Sequence, residues 1–168
     1  MRRAPRWLLA LFLALAATTL PAPAHAGGKD KVAWKKIEAP AGDDHDRLVR
    51  LLKPLLQKAT RKADFGKSKG VVLHARIVTW RSFTQGDVHR VSCTLVGRIQ
   101  GGPTARSRIS FGGRPTERAA LEKQVLTMVA NGVVTRLAEI VKTRATEAAE
   151  AEEQKERQKK EAEDDGGS

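Results

Sequence analysis

Three stretches of alternating apolar and polar residues, separated by short glycine turns, constrain this chain more than any other feature. From Val71 to Phe83 the odd positions Val71, Leu73, Ala75, Ile77 and Thr79 form one side. Val91, Cys93, Leu95, Gly97 and Ile99 repeat the pattern, and Ile109 and Phe111 continue it within 105–111. A period of two is strand spacing, because successive side chains leave a strand on opposite faces. Gln85-Gly86-Asp87 lies between the first two stretches and fits a short hairpin loop. Pairing Thr84 with Val88 then sets Ile77 opposite Leu95 and keeps the odd residues on one face. A second turn, Gln100-Gly101-Gly102-Pro103-Thr104, leads to the third strand. The expectation is an antiparallel meander with one apolar face.

That face needs a cover, and two amphipathic segments can supply it. Leu48, Val49, Leu51, Leu52, Leu55, Leu56 and Ala59 recur at helical spacing up to about Lys62. Asp43 or Asp44 is placed to cap this helix, and Pro54 is expected to kink or divide it. After Gly112-Gly113-Arg114-Pro115, Thr116 can cap a longer helix. Its stripe is Leu121, Val125, Met128, Val129, Val133, Leu137, Ile140 and Val141. Together these segments predict an α+β fold: a two-layer αβββα domain, with a three-stranded antiparallel meander packed on one face by helices.

The chain's ends read differently. Arg2, Arg3 and Arg6 precede an apolar run from Trp7 to Leu20, followed by Pro21-Ala22-Pro23-Ala24-His25-Ala26. This is the layout of a secretory signal, with cleavage expected after Ala26. The run of 14 residues is shorter than the roughly 20 that a membrane-crossing helix needs. The predicted organisation is a signal peptide over 1–26, a flexible leader over 27–42, the α+β domain over 43–143 and a charged tail over 144–168. The tail is nearly all Ala, Glu, Lys, Gln and Arg, expected to be a solvated helix or disordered, with Glu153/Arg157 and Glu156/Lys160 as i,i+4 pairs. A periplasmic or secreted product without a transmembrane anchor after cleavage is expected. Cys93, the one cysteine, leaves no partner for an internal disulfide.

Charge is distributed unevenly. Without Arg2, Arg3 and Arg6, 28 of the 31 basic residues remain against 19 acidic ones. The tail holds nine acidic and five basic residues, so residues 27–143 carry 23 basic and ten acidic, a net charge of +13. Much of that excess falls on the sheet's even face, where Arg76, Arg90, Arg98, Arg106 and Arg108 are joined by Trp80. The expected register puts Arg98 directly opposite Arg106, a like-charge pair that an anion or solvent must relieve. Arginine forks suit phosphate and carboxylate, and Trp80 would add a stacking platform. The competing reading is a solvated face whose charges serve solubility and block aggregation.

Other constellations are weaker. His89 and Cys93 share a face, but four strand residues separate them by about 13 Å, beyond direct contact. A buried, inert Cys93 follows. His45, His74 and His89 show no metal-ligand spacing, and His74 is expected to face solvent opposite Arg98. The paired glycines sit where turns are required and lack the lysine of a phosphate-binding loop. No catalytic residue, metal or cofactor is predicted. The expected function is a non-enzymatic binding or accessory module. Its partner is an anionic polymer or an envelope protein, engaged through Arg76, Trp80, Arg90, Arg98, Arg106 and Arg108, and not a specific nucleic-acid sequence. The alternative is a structural or assembly subunit that self-associates through protein contacts.

Overall fold

The computed structural model describes residues 32–66, 68 and 70–165; the expected signal peptide and the start of the expected leader lie outside them. The order is β1 (Val32–Glu38), α1 (His45–Lys62), β2 (Val71–Gln85), β3 (Val88–Ile99), β4 (Thr104–Gly113), a single 3-10 turn (Pro115–Glu117) and α2 (Arg118–Asp165). The four strands form one sheet in the order β1-β2-β3-β4. The α+β class holds, with a correction: the sheet has four strands. Part of the expected leader is an edge strand, paired parallel to β2 from Val32↔Val71 to Glu38↔Arg76. Sequence spacing misses it because the parallel register shifts between Trp34 and Lys36, which breaks the alternation on which a strand is recognised. Trp34 anchors it to α1, donating from Nε1 to Thr60 Oγ1 at 2.9 Å.

Both helices cover the apolar face. Leu48, Leu52, Leu56 and Ala59 of α1, and Val125, Val129, Val133 and Leu137 of α2, are buried against Leu73, Ala75, Ile77, Val91, Cys93 and Leu95. The first part of α2 has the length and hydropathy of a membrane span, and half of that stretch is buried in the domain. Close approach of α2 to the sheet depends on Gly97: a Cβ there would lie 2.4 Å from Val133 Cγ1 and 2.8 Å from Leu137 Cδ1. From Lys142 to Lys160 every side chain of α2 is exposed, so the tail is a solvated continuation of the core helix. Glu153/Arg157 and Glu156/Lys160 stand at the i,i+4 spacing that favours a solvated helix.

Helix details depart from expectation. α1 runs undivided through Pro54, whose exposed ring faces away from the core, so the carbonyl left without its i→i−4 donor can be met by water. Asp44 occupies the N-cap position but makes no side-chain cap bond. Its carboxylate instead accepts from Arg47 Nε at 2.8 Å. Thr116 lies in the 3-10 turn preceding α2 rather than capping it.

The sheet's register decides which side chains face outward. Ile77 does pair with Leu95 and His74 with Arg98. Beyond Ile77 the register shifts, so that Thr79 pairs with Thr94 and Trp80 with Cys93. This bulge at Val78 exchanges the faces of all that follows on β2. The hairpin consequently closes with Gln85 opposite Val88 over Gly86 and Asp87, with Gly86 at φ +58°, a left-handed conformation that glycine tolerates in two-residue turns. The next turn is also tighter than expected. Gly101 at φ +68° lets the Gly102 amide reach Ile99 O, and the Ile99 amide reaches Pro103 O. Arg98 therefore lies opposite Thr104, while Arg106 faces Val96; the expected Arg98/Arg106 pair does not form.

Candidate functional site

Among the described residues no helix covers the outer face of the sheet, and its composition follows from the two register shifts. Rows across β2, β3 and β4 read Phe83, Arg90, Gly112; then Arg81, Ser92, Ser110; then Thr79, Thr94, Arg108; then Arg76, Val96, Arg106; then His74, Arg98, Thr104. Of the six residues singled out in the sequence, Arg76, Arg90, Arg98, Arg106 and Arg108 share this face and are exposed. Trp80 does not. The Val78 bulge turns it to the helix side, where it packs against the core with Nε1 buried, so it offers no stacking surface outside. Arg81, which strict alternation from Val71 places inward, takes its place outside, with Phe83 47% exposed beside it. An aberrant Trp-Arg-Ser-Phe order in an otherwise regular strand is the one signal that could have revealed this.

These six arginines stand without ion pairs among the described residues. Glu38 on β1 lies opposite Arg76, and it is held at 2.5 Å by Lys36. That hydrogen bond from Lys36, together with the charges of Lys36 and Arg76, outweighs desolvation and keeps the Glu38 carboxyl below its ordinary range. The middle of the face is low: Thr94 is 2% exposed, and Ser92 and Val96 are half-buried between the flanking arginines. At the opposite edge the Arg136 side chain of α2 donates to Arg106 O, occupying one of the free carbonyls that an edge strand exposes.

A second polar constellation lies inside, at the end of the domain where the β2–β3 hairpin meets both helix starts. Glu122 is 3% exposed. Its Oε2 accepts from Arg47 Nη1 at 2.6 Å, and its Oε1 accepts from Ser82 Oγ at 2.6 Å and Arg118 Nε at 3.0 Å. Burial opposes its ionised form, but the hydrogen bonds from Ser82, Arg47 and Arg118 together outweigh burial and lower its pKa. Ser82 Oγ has one proton, directed to Glu122, so His89 Nε2 is the donor in its 3.0 Å contact with that oxygen. Thr84 Oγ1 lies 2.8 Å from His89 Nδ1. The residue types match a hydrolytic triad but the wiring does not. The serine proton faces a carboxylate held by two arginines, and His89 is 1% exposed. The network instead ties β2, β3, α1 and α2 together.

Cys93 is fully buried, and burial pushes its thiol up to about 12. Among the described residues no group of three or more His, Cys, Asp or Glu side chains could hold a metal. A cleft of about 460 Å³ opens between β1 and the end of α1, lined by Trp34, Lys53, Arg61, Asp64 and Phe65 among others. Asp64 is drawn to Lys142 at 2.6 Å.

No family model and no curated protein matches the sequence. Among solved structures, the chain is similar to a candidate lipoprotein of Caulobacter crescentus at 13% identity and TM-score 0.43, over 71% of this chain and 93% of that one. A Xanthomonas campestris protein of the DUF330 family matches at 14% identity and TM-score 0.44, over 70% and 90%. A minor lipoprotein of Acinetobacter baumannii matches at 13% identity and TM-score 0.36, over 68% and 92%. All three scores lie below 0.5.

Proposed function

We propose that this protein is an extracytoplasmic, non-enzymatic accessory module that binds an anionic partner through the outer face of its sheet. The observation that carries the reading is the set of six exposed arginines, Arg76, Arg81, Arg90, Arg98, Arg106 and Arg108, on a face that no helix or strand among the described residues covers. The secretory layout of the first 26 residues supports the location. The closed wiring of Ser82, His89 and Glu122 supports the absence of nucleophilic catalysis.

The test is retention of the exported, processed protein on an immobilised polyanion across a salt series, beside a variant with Arg76, Arg98, Arg106 and Arg108 changed to serine. The wild type should elute at a salt concentration well above that of the folded variant, because several arginine contacts release counterions together. Equal elution of the two proteins would sink the reading. Salt-insensitive self-association of both would then favour an assembly subunit.

A further inference from the structure

The arginines are arranged as a trough along β3. Its floor is Ser92, Thr94 and Val96, and its walls are Arg76 and Arg81 from β2 and Arg106 and Arg108 from β4. Arg98 and Arg90 stand at the two ends. Each successive row of the sheet from Arg98 to Arg90 contains at least one arginine. Rows on one face are two residues apart, which is about 6.6 Å along a strand. The walls belong to strands two spacings apart, roughly 9.5 Å, and arginine side chains are long enough to lean over the floor from both sides.

We propose that this trough is a binding track for an extended, non-nucleic phosphodiester polymer, a chain of polyol units joined by phosphates; the proposal rests on the reading of the face as anion-binding. Two features select that chemistry. A phosphodiester carries its charge within the chain and has two free oxygens pointing to opposite sides. A chain lying in the trough can therefore be met from either wall: from both at the row of Arg76 and Arg106, from the β4 wall by Arg108 and from the β2 wall by Arg81, whereas a pendant carboxylate approaches from one side. The repeat also fits. Three extended backbone bonds span about 3.3–3.6 Å, so the six bonds between successive phosphorus atoms of a three-carbon polyol phosphate span roughly 7 Å. The track lacks what an unstructured nucleic acid uses, a series of aromatic platforms for its bases. Trp80 is turned inward and Phe83 sits alone at one end. The hydroxyls of Ser92 on the floor, and of Thr79 and Ser110 beside it, complement a polyol as donors and acceptors.

The experiment measures binding of a fluorescently labelled glycerol phosphate hexamer to the exported protein by anisotropy, with hexathymidylate, hexaglutamate and an immobilised generic polyanion in parallel. The expected result is tighter binding of the glycerol phosphate hexamer than of the other two oligomers, rising with length and levelling at five to six phosphates, about one per arginine row. Changing Arg106 and Arg108 to serine should flatten the slope of log K against log salt by roughly 1.4, about 0.7 for each phosphate that is no longer neutralised. Ser92→Asp, which keeps every arginine but places a carboxylate on the floor, should abolish hexamer binding. Retention on the generic polyanion without preference for the glycerol phosphate hexamer overturns the polymer assignment and leaves the anion-binding face standing. Equal or tighter binding of hexathymidylate replaces it with a nucleic-acid reading, and loss of all binding removes both.

Discussion

Replacing Glu122 by glutamine removes one charge from the buried network and leaves its shape almost unchanged. The wild-type carboxylate accepts hydrogen bonds from Arg47, Ser82 and Arg118 at 2.6, 2.6 and 3.0 Å. Breaking a buried ion pair by removing one partner costs about 3–5 kcal/mol. Here the Arg47 and Arg118 side chains are 37% and 56% exposed, so water recovers part of their solvation, and glutamine keeps one acceptor oxygen. The expected loss is therefore nearer ~2 kcal/mol, a large share of the roughly 5–15 kcal/mol that holds a domain folded. The pH dependence makes the prediction specific. The pKa of Glu122 in the folded protein lies below its ordinary value of 4.5. Its contribution is therefore complete above that ordinary value and is lost as pH falls through the lowered folded value, because unfolding takes up a proton in between. Urea unfolding of wild type and E122Q at several pH values should show the gap in full at pH 7 and closing below about 4.5, the other carboxylates cancelling in the difference. A gap that is absent at neutral pH, or unchanged in strong acid, would refute the argument that these three hydrogen bonds stabilise the ionised carboxylate.

Two further substitution and labelling experiments check the packing. Gly97→Ala places a methyl group 2.4 Å from Val133 Cγ1 and should destabilise the domain by about 1–3 kcal/mol. Adding Val133→Ala should cost less in that background than in wild type, as a double-mutant cycle would register. Cys93, fully buried with its thiol pushed up to about 12, should remain unmodified by a disulfide reagent at neutral pH until denaturant unfolds the protein; stoichiometric reaction in the native state would contradict the core described here.

The sequence made the helices and three strands legible because their apolar residues repeat over long stretches, in β2 as far as the bulge at Val78. Leu48, Leu52 and Leu56 keep one phase along α1, and Val125, Val129 and Val133 keep one phase along α2, so period alone identifies the buried side. The edge strand was hidden for the opposite reason. Val32, Trp34 and Ile37 are its inward-packing residues, and the shift between Trp34 and Lys36 leaves no two-residue repeat to detect. Its parallel partner is reached only after the whole of α1, a pairing that no local pattern encodes.

The outer face was legible in five of its arginines and wrong in its one aromatic residue, and a single inserted residue accounts for both. Before the bulge, Arg76 and His74 lie on the face that alternation from Val71 assigns them; after it, Trp80 and Ser82 turn inward while Arg81 and Phe83 turn out. The consequence reaches both polar sites. Only with Ser82 and Thr84 on the inner side can they meet His89, and only Ser82 from there reaches Glu122 to close the buried network. The same exchange removes the indole from the trough and adds Arg81 to its wall. The bulge thus removes the indole from a face whose outward side chains are then mainly arginines and hydroxyls, with Val78, Phe83 and Val96 among them. That is the physical basis for expecting a partner recognised by its charge spacing rather than by its aromatic rings.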